Sequence, residues 1–295
     1  MQIAVATCMQ LPEADVDEAL LVHALEARGA NVRLLPWDDD RQCARDDELV
    51  VVRSTWNYHR DLDAFVRWVD RTERVTRMLN PPSVIRANTR KTYLRDLEQR
   101  GIAVVPTEFV TRNEPRSIEE ITTRRKWETI VVKPVVSAAS FCTQRFESTR
   151  ASEAQRFLEE LVRERDAMVQ PWMPSVETYG ERSLVWIDGE VTHAVRKSPR
   201  FTGGAETVSE SEVPITSEER AFAERIVAPL ANELLYARID VVPDPTGAEA
   251  GQGLRVMELE LIEPSLFLKQ SARALERLTT AILRHARDLE AGRTA

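Results

Sequence analysis

Apolar residues in the first part of this chain come in short unbroken runs, and further along they alternate with polar ones. Ile3-Ala4-Val5-Ala6 and Leu49-Val50-Val51-Val52 are runs of the kind found in strands buried on both faces of a parallel sheet. Between them the spacing predicts a helix over 15–28, with Val16, Leu20, Ala24 and Ala27 on one face and Gly29 at its C-terminal cap. A strand over 31–35 follows, so the opening reads β-α-β. The run at 49–52 leads into Arg53-Ser54-Thr55-Trp56-Asn57-Tyr58, a polar loop at the edge where parallel sheets present their ligands. A helix over 61–72 is predicted next, and Pro81-Pro82 closes the block.

The second block mixes helices and strands. Asn88 or Thr89 caps a predicted helix that runs to Arg100 and stops at Gly101. Strands are predicted over 104–110, 129–133 and 141–146, with helices over 115–127 and 152–165. A connector bracketed by Pro171 and Pro174 separates this block from the last one. There, Asp188-Gly189 between strands over 182–187 and 190–196 is a strong hairpin signal. Further predictions are a helix over 216–235, antiparallel strands over 236–242 and 254–261, and a final helix over 269–290. The expected domains are residues 1–86, 87–170 and 171–295, and the expected class is α/β and α+β.

Composition narrows the function classes. A length of 295 residues suits two or three lobes, and 43% hydrophobic with 30% charged residues describes a soluble globular chain. The net charge of -8 argues against a non-specific nucleic-acid partner. No apolar run approaches the roughly 20 residues that span a bilayer, so no membrane partner is expected. The N-terminus has no basic region or cleavage site, and Cys8, Cys43 and Cys142 form neither a disulfide framework nor a zinc cluster. A cytoplasmic location is the expectation. Glycine-rich dinucleotide and P-loop fingerprints are both missing, and Ser54 and Ser265 lack a nearby histidine for triad chemistry.

The chemistry concentrates on three strands. Lys133 follows four residues of a strongly apolar strand, where an ammonium is costly unless paired. Glu258 and Glu260 are two apart on another strand and so share a face, as would Asp240 if the strand over 236–242 pairs with theirs. Three hard carboxylates suit Mg²⁺, and a cation opposite them suits a nucleoside triphosphate. Plainer readings stay open at this point: a solvated acidic strand face, a snorkelling Lys133, and surface roles for Lys91 and Lys197. Arg53 could hold a substrate carboxylate in bidentate fashion or cap a helix, with Trp56 and Tyr58 as walls that exclude water.

In order and spacing these features resemble the ATP-grasp superfamily, in its glutathione-synthetase and D-Ala–D-Ala-ligase-like branch, over essentially the whole chain. The resemblance implies an ATP-grasp fold with an N-terminal parallel βαβ domain, a central lid lobe and a C-terminal mixed-sheet lobe. It implies that Lys91 and Lys133 hold the α and β phosphates of ATP. Gln170-Pro171-Trp172-Met173 matches the connector that binds adenine. The hairpin motif Gly180-Glu181-Arg182-Ser183-Leu184-Val185 offers Glu181 as the ribose contact, ahead of Glu177. Ala237-Arg238-Ile239-Asp240-Val241 gives Asp240 as metal ligand and Arg238 as stabiliser of the transferred phosphoryl group. Glu258-Leu259-Glu260-Leu261-Ile262-Glu263-Pro264 matches the terminal motif and adds Glu258 and Glu260 to the metal set.

Two departures stand out. The phosphate-covering loop, usually glycine-rich, is Ser137-Ala138-Ala139-Ser140, with Ser137 and Ser140 as expected cofactor contacts. Glu260 stands where asparagine is usual and adds charge. Arg-Ser-Thr-Trp-Asn-Tyr at 53–58 and Glu-Leu-Glu-Leu-Ile-Glu-Pro-Ser at 258–265 are similar to the small subset containing the D-cycloserine-forming cyclo-ligase. The resemblance implies an ATP-dependent C–N ligase with Arg238, Lys197 and Arg53 as catalytic groups. Its cofactors would be ATP and Mg²⁺, as two ions, with Mn²⁺ able to substitute. Its partner would be a small amino-acid-like substrate, activated as an acylphosphate and closed into a ring. A two-substrate dipeptide-type ligase and a non-catalytic nucleotide-binding protein are the alternatives, and a homodimer is left open.

Overall fold

The computed structural model describes residues 1–138, 141–198, 207–244 and 253–294. The N-terminal apolar runs form β1 (Gln2–Thr7), β2 (Asn31–Pro36), β3 (Glu48–Val52) and β4 (Met78–Leu79), a parallel sheet in the order β2-β1-β3-β4. Helices α1 (Val16–Glu26) and α2 (Leu62–Glu73) connect its strands. The parallel β-α-β opening is therefore present.

The buried face of α1 differs from the expected one. Asp17, Leu21 and Leu25 are inside, whereas Val16 and Leu20 are 58% and 37% exposed. Both stripes are apolar enough to be candidates, so periodicity alone could not choose between them. What sets the rotation is Asp17, whose carboxylate accepts the backbone N–H groups of Leu266 at 3.0 Å and Leu268 at 2.8 Å. Leu21 and Leu25 then pack with Ile3, Val5, Leu49 and Val51.

The helix expected from Asn88 to Arg100 is two helices, α3 (Pro82–Asn88) and α4 (Tyr93–Gln99). Asn88 ends the first instead of capping the second. Its side chain is used elsewhere, donating to Leu259 O at 2.9 Å and accepting from Leu261 N at 2.8 Å. Lys91 lies in the turn between them, with its N–H on Val135 O. Beyond it, β5 (Glu108–Val110), β6 (Thr129–Pro134), β7 (Gln144–Glu147) and β8 (Ala167–Pro171) form an antiparallel sheet in the order β5-β8-β6-β7. Helices α5 (Ile118–Arg125) and α6 (Ala151–Glu164) cover one face, burying Ile118, Ile121, Leu158 and Val162 against Ile130 and Val132 of β6. Strand alternation sends Val131 and Lys133 to the other face.

The short α7 (Ser175–Thr178) leads to β9 (Glu181–Ile187), β10 (Glu190–Ser198) and β11 (Thr207–Val208). Asp188 and Gly189, at φ 46° and 90°, make the expected tight hairpin turn between β9 and β10. Helix α8 (Ser217–Val227) starts at a capping box of Thr216 and Glu219 and stops short of the expected 235, because Pro229 interrupts it. Next come β12 (Tyr236–Pro243), β13 (Leu254–Glu260) and α9 (Ala272–Thr294). The sheet order is β11-β10-β9-β12-β13, with β12 and β13 antiparallel as expected. Ala237, Ile239 and Val241 pack with Phe222 and Ile226 of α8, so Tyr236, Arg238 and Asp240 project from the opposite face. Among the described residues no helix is long and apolar enough to cross a membrane.

Candidate active site

The free faces of the two antiparallel sheets border one cleft, and the loop after β3 forms part of its wall. From β12 and β13 come the acids. Asp240 pairs in register with Glu258, and Arg238 with Glu260. Each of Asp240, Glu258 and Glu260 offers a carboxylate oxygen within 4.8 Å of the others. The acidic strand face is thus not merely solvated: the acids converge, and Asp240 is buried at 1% exposure.

Cations from three elements meet them. Lys133 of β6 donates to Glu258 at 2.9 Å, and the Lys91 ammonium lies 3.6 Å from the same carboxylate. Lys133 is 7% exposed, so it does not snorkel to water but crosses the cleft to an acid on another sheet. Arg238 donates to Asp240 through Nε at 3.0 Å and Nη2 at 2.9 Å, and also pairs with Glu260. Lys197 of β10 donates to Asp240 at 2.8 Å and pairs with Glu181. The Ser183 hydroxyl completes the Asp240 shell at 2.6 Å.

Titration behaviour follows from this arrangement. Burial would raise Asp240, but Arg238 and Lys197 outweigh it and hold the carboxyl well below the ordinary range. Burial likewise opposes Glu258, and Lys133 and Lys91 bring it down to about 2. For Glu260 burial prevails over Arg238 and the carboxyl is raised. Burial lifts Glu181 to about 7 against Lys197, and Glu263 to about 8 with help from the neighbouring Glu260 charge. Glu181, Asp240, Glu258, Glu260 and Glu263 thus outnumber Lys91, Lys133, Lys197 and Arg238. An additional hard cation fits such a set, since three carboxylates already converge and part of the acid charge is suppressed by protonation.

These shifts give a pH dependence with a definite sign. An acid raised in the folded state holds a proton that the unfolded chain releases near 4.5, so its contribution to stability is lost as pH rises through its folded pKa. Glu258 and Asp240 act in the opposite sense and weaken the fold only as pH drops below the ordinary carboxylate range. His193 is buried and His59 and His285 are half-buried, and desolvation lowers all three, so their opposing gain of stability with rising pH ends only once the unfolded histidines have titrated, by about pH 7.5. Between about pH 7.5 and 8.5 the ligand-free protein should therefore lose thermal stability, read as a falling Tm in scanning calorimetry. A flat or rising Tm there would show Glu181 and Glu263 to be ionised.

The remaining expected residues divide. Ser137 lines the cleft, and its carbonyl accepts from Lys91 at 3.2 Å, whereas Ser140 lies outside the described residues. Gln170 is a buried strand residue whose amide donates to Thr107 at 2.9 Å, and Pro171, Trp172 and Met173 continue along the cleft wall. Arg145 stacks over Trp172 at 4.5 Å and pairs with Glu177 at 2.9 Å. That pairing keeps Glu177 exposed and off the cleft wall, so of the two ribose candidates only Glu181 lines it.

Arg53 is a correction. It is buried at 1% exposure and does not line the cleft. Its guanidinium lies over Tyr236 at 5.3 Å and donates to Pro264 O at 2.9 Å, bracing the segment after β13 from beneath. The strand end was the right place but the wrong layer; Trp56 and Tyr58, further along the loop, do reach the cleft. Sequence reasoning passed over Ser183, Tyr93 and Glu263. Ser183 was legible as a lone hydroxyl on an apolar strand beside β12, whereas Tyr93, which accepts from Leu259 N at 3.0 Å, carried no signal.

Comparisons with known proteins bear on the family and the fold. Residues 3–80 match the family described as the N-terminal domain of D-cycloserine synthetase DcsG. The cycloserine biosynthesis protein DcsG of Streptomyces lavendulae is 28% identical over 283 residues, 91% of this chain and 93% of that protein. The crystal structure of D-cycloserine synthetase DcsG superposes with a TM-score of 0.85 at 27% identity, covering 97% of this chain and 100% of the other. A RimK-domain ATP-grasp protein from Sphaerobacter thermophilus shares the fold at a TM-score of 0.66 and 18% identity, covering 96% and 100%. From the N-terminal family match, the relatedness along nearly the whole chain and the shared fold, the chain has the ATP-grasp fold and is similar to D-cycloserine synthetase.

Proposed function

We propose that this protein is a ligase that uses ATP and Mg²⁺ to activate the carboxylate of a small amino-acid-like substrate, and that a nitrogen of the same molecule then closes a ring. The carrying observation is the convergence of Lys91, Lys133, Lys197 and Arg238 on Asp240, Glu258 and Glu260 across a single cleft. Lys91 and Lys133 would take phosphate oxygens once Glu258 turns to a metal ion. Asp240, Glu258 and Glu260 would hold Mg²⁺, as two ions with Mn²⁺ able to substitute, and the metal would neutralise charge on the phosphates. Arg238, fixed at two points by Asp240, presents a guanidinium where charge grows as the γ-phosphoryl group moves to the substrate carboxylate. Trp56 and Tyr58 line the far side and would keep water from the acylphosphate.

The favoured reaction is conversion of O-ureido-D-serine to D-cycloserine, in which the nitrogen bonded to oxygen attacks the acylphosphate, phosphate leaves, and water removes the carbamoyl group as CO₂ and ammonia, in keeping with the similarity to D-cycloserine synthetase. ADP release from ATP should occur with O-ureido-D-serine alone, disappear with chelator and return with Mg²⁺ or Mn²⁺. A requirement for a second, separate amine would replace ring closure by a dipeptide-type ligation. No ADP release with any amino acid would sink the proposed ligase chemistry.

A further inference from the structure

The cleft wall on the side of the parallel sheet holds two acids that the phosphate and metal chemistry does not use. Glu13 is exposed, whereas Glu263 is half-buried and lines the cleft together with Trp56, Tyr58 and Ser265. The backbone carrying Glu263 is pinned at three consecutive carbonyls. Tyr236 donates to Ile262 at 2.8 Å, Trp56 to Glu263 at 2.8 Å and Arg53 to Pro264 at 2.9 Å. Those donors come from β12 and from the loop after β3, so segments of two sheets fix the backbone that carries this carboxyl. Among the described residues, no side chain donates a hydrogen bond to it.

Half-burying an acid whose donor is its own backbone N–H and no side chain is unfavourable, and the fold gains nothing evident from it. Burial and the Glu260 charge push it up to about 8, against the weaker pull of Lys91 and Arg238. A pinned acid, short of donors and flanked by aromatic residues, is complementary to a small organic cation. We infer that Glu263 is the binding residue for the ammonium group of the amino-acid substrate, holding it beside Trp56 and Tyr58 while the substrate carboxylate reaches Arg238. This deepens the carboxylate-activation reading and rests on it. Amino acids are thereby selected over the corresponding plain carboxylic acids.

Calorimetry with Mg²⁺ and a non-hydrolysable ATP analogue tests the assignment. The probes are O-ureido-D-serine against 3-(ureidooxy)propanoate, and D-alanine against propanoate. The wild type should prefer the amine-bearing member of a pair by about tenfold or more, and Glu263→Gln should erase that preference. Glutamine has the shape of the protonated acid, so the variant should fold and keep its affinity for the ATP analogue. Persistence of the preference in Glu263→Gln overturns the assignment, as does its absence from the wild type. If only D-alanine is discriminated and O-ureido-D-serine is not turned over, the ring-closing reading falls while the Glu263 assignment stands.

Discussion

Lys133→Met should weaken binding of an ATP analogue by about a hundredfold, the equivalent of about 3 kcal/mol for a charged hydrogen bond to phosphate. Methionine suits the position because Lys133 is buried at 7% exposure on a strand whose neighbours are apolar. The variant should therefore fold, and the loss should be electrostatic rather than steric. In the ligand-free protein the Lys133 ammonium is engaged by Glu258 at 2.9 Å, so nucleotide binding exchanges one anion for another. Removing it leaves Glu258 with Lys91 at 3.6 Å, and the carboxyl should rise from about 2 toward its ordinary value. Isothermal calorimetry with Mg²⁺ present measures the affinity directly. An unchanged Kd would mean that Lys133 only neutralises Glu258 and never meets phosphate.

The strand-borne part of this site was legible from the chain because a period of two is a strong constraint. Once β12 and β13 pair, Arg238, Asp240, Glu258 and Glu260 have one face available, since Ala237, Ile239 and Leu259 fill the core on the other. Lys133 was legible for the same reason, with Ile130 and Val132 taken by α5 and α6. Helices and loops were read less well, because their outcome depends on partners distant in sequence. The rotation of α1 is decided by Asp17 meeting backbone some 250 residues later, which no local apolar pattern records. Asn88 has the composition of a cap but is drawn off to β13. Arg53 ends a strand at the ligand edge of its sheet, yet the segment after β13 crosses above it and puts Trp56 and Tyr58 in front. The same crossing positions Glu263, which in sequence is only an acid between apolar residues and a proline.

Asp240→Asn should lower kcat by about a thousandfold and also destabilise the protein, whereas Glu260→Gln should impair turnover with little cost to the fold. The difference lies in burial and partners. Asp240 is 1% exposed and accepts from Ser183, Arg238 and Lys197. Asparagine keeps its volume but leaves two buried cations with one anion fewer, and breaking such a pairing typically costs about 3–5 kcal/mol. Glu260 retains 28% side-chain exposure, and its burial raises the carboxyl, so the ionised form contributes less to folding. Its neutral amide should change stability by about 1 kcal/mol or less. Both substitutions replace an anionic carboxylate by a neutral amide in a trio spaced within 4.8 Å, so both should weaken the stabilisation that Mg²⁺ gives to the ligand-free protein. Urea unfolding with and without Mg²⁺, set beside ADP release, separates the two effects. Equal destabilisation by both variants, with Mg²⁺ making no difference to either, would identify the acids as a structural brace for Arg238 and Lys197. Wild-type turnover in Asp240→Asn would remove the metal assignment altogether.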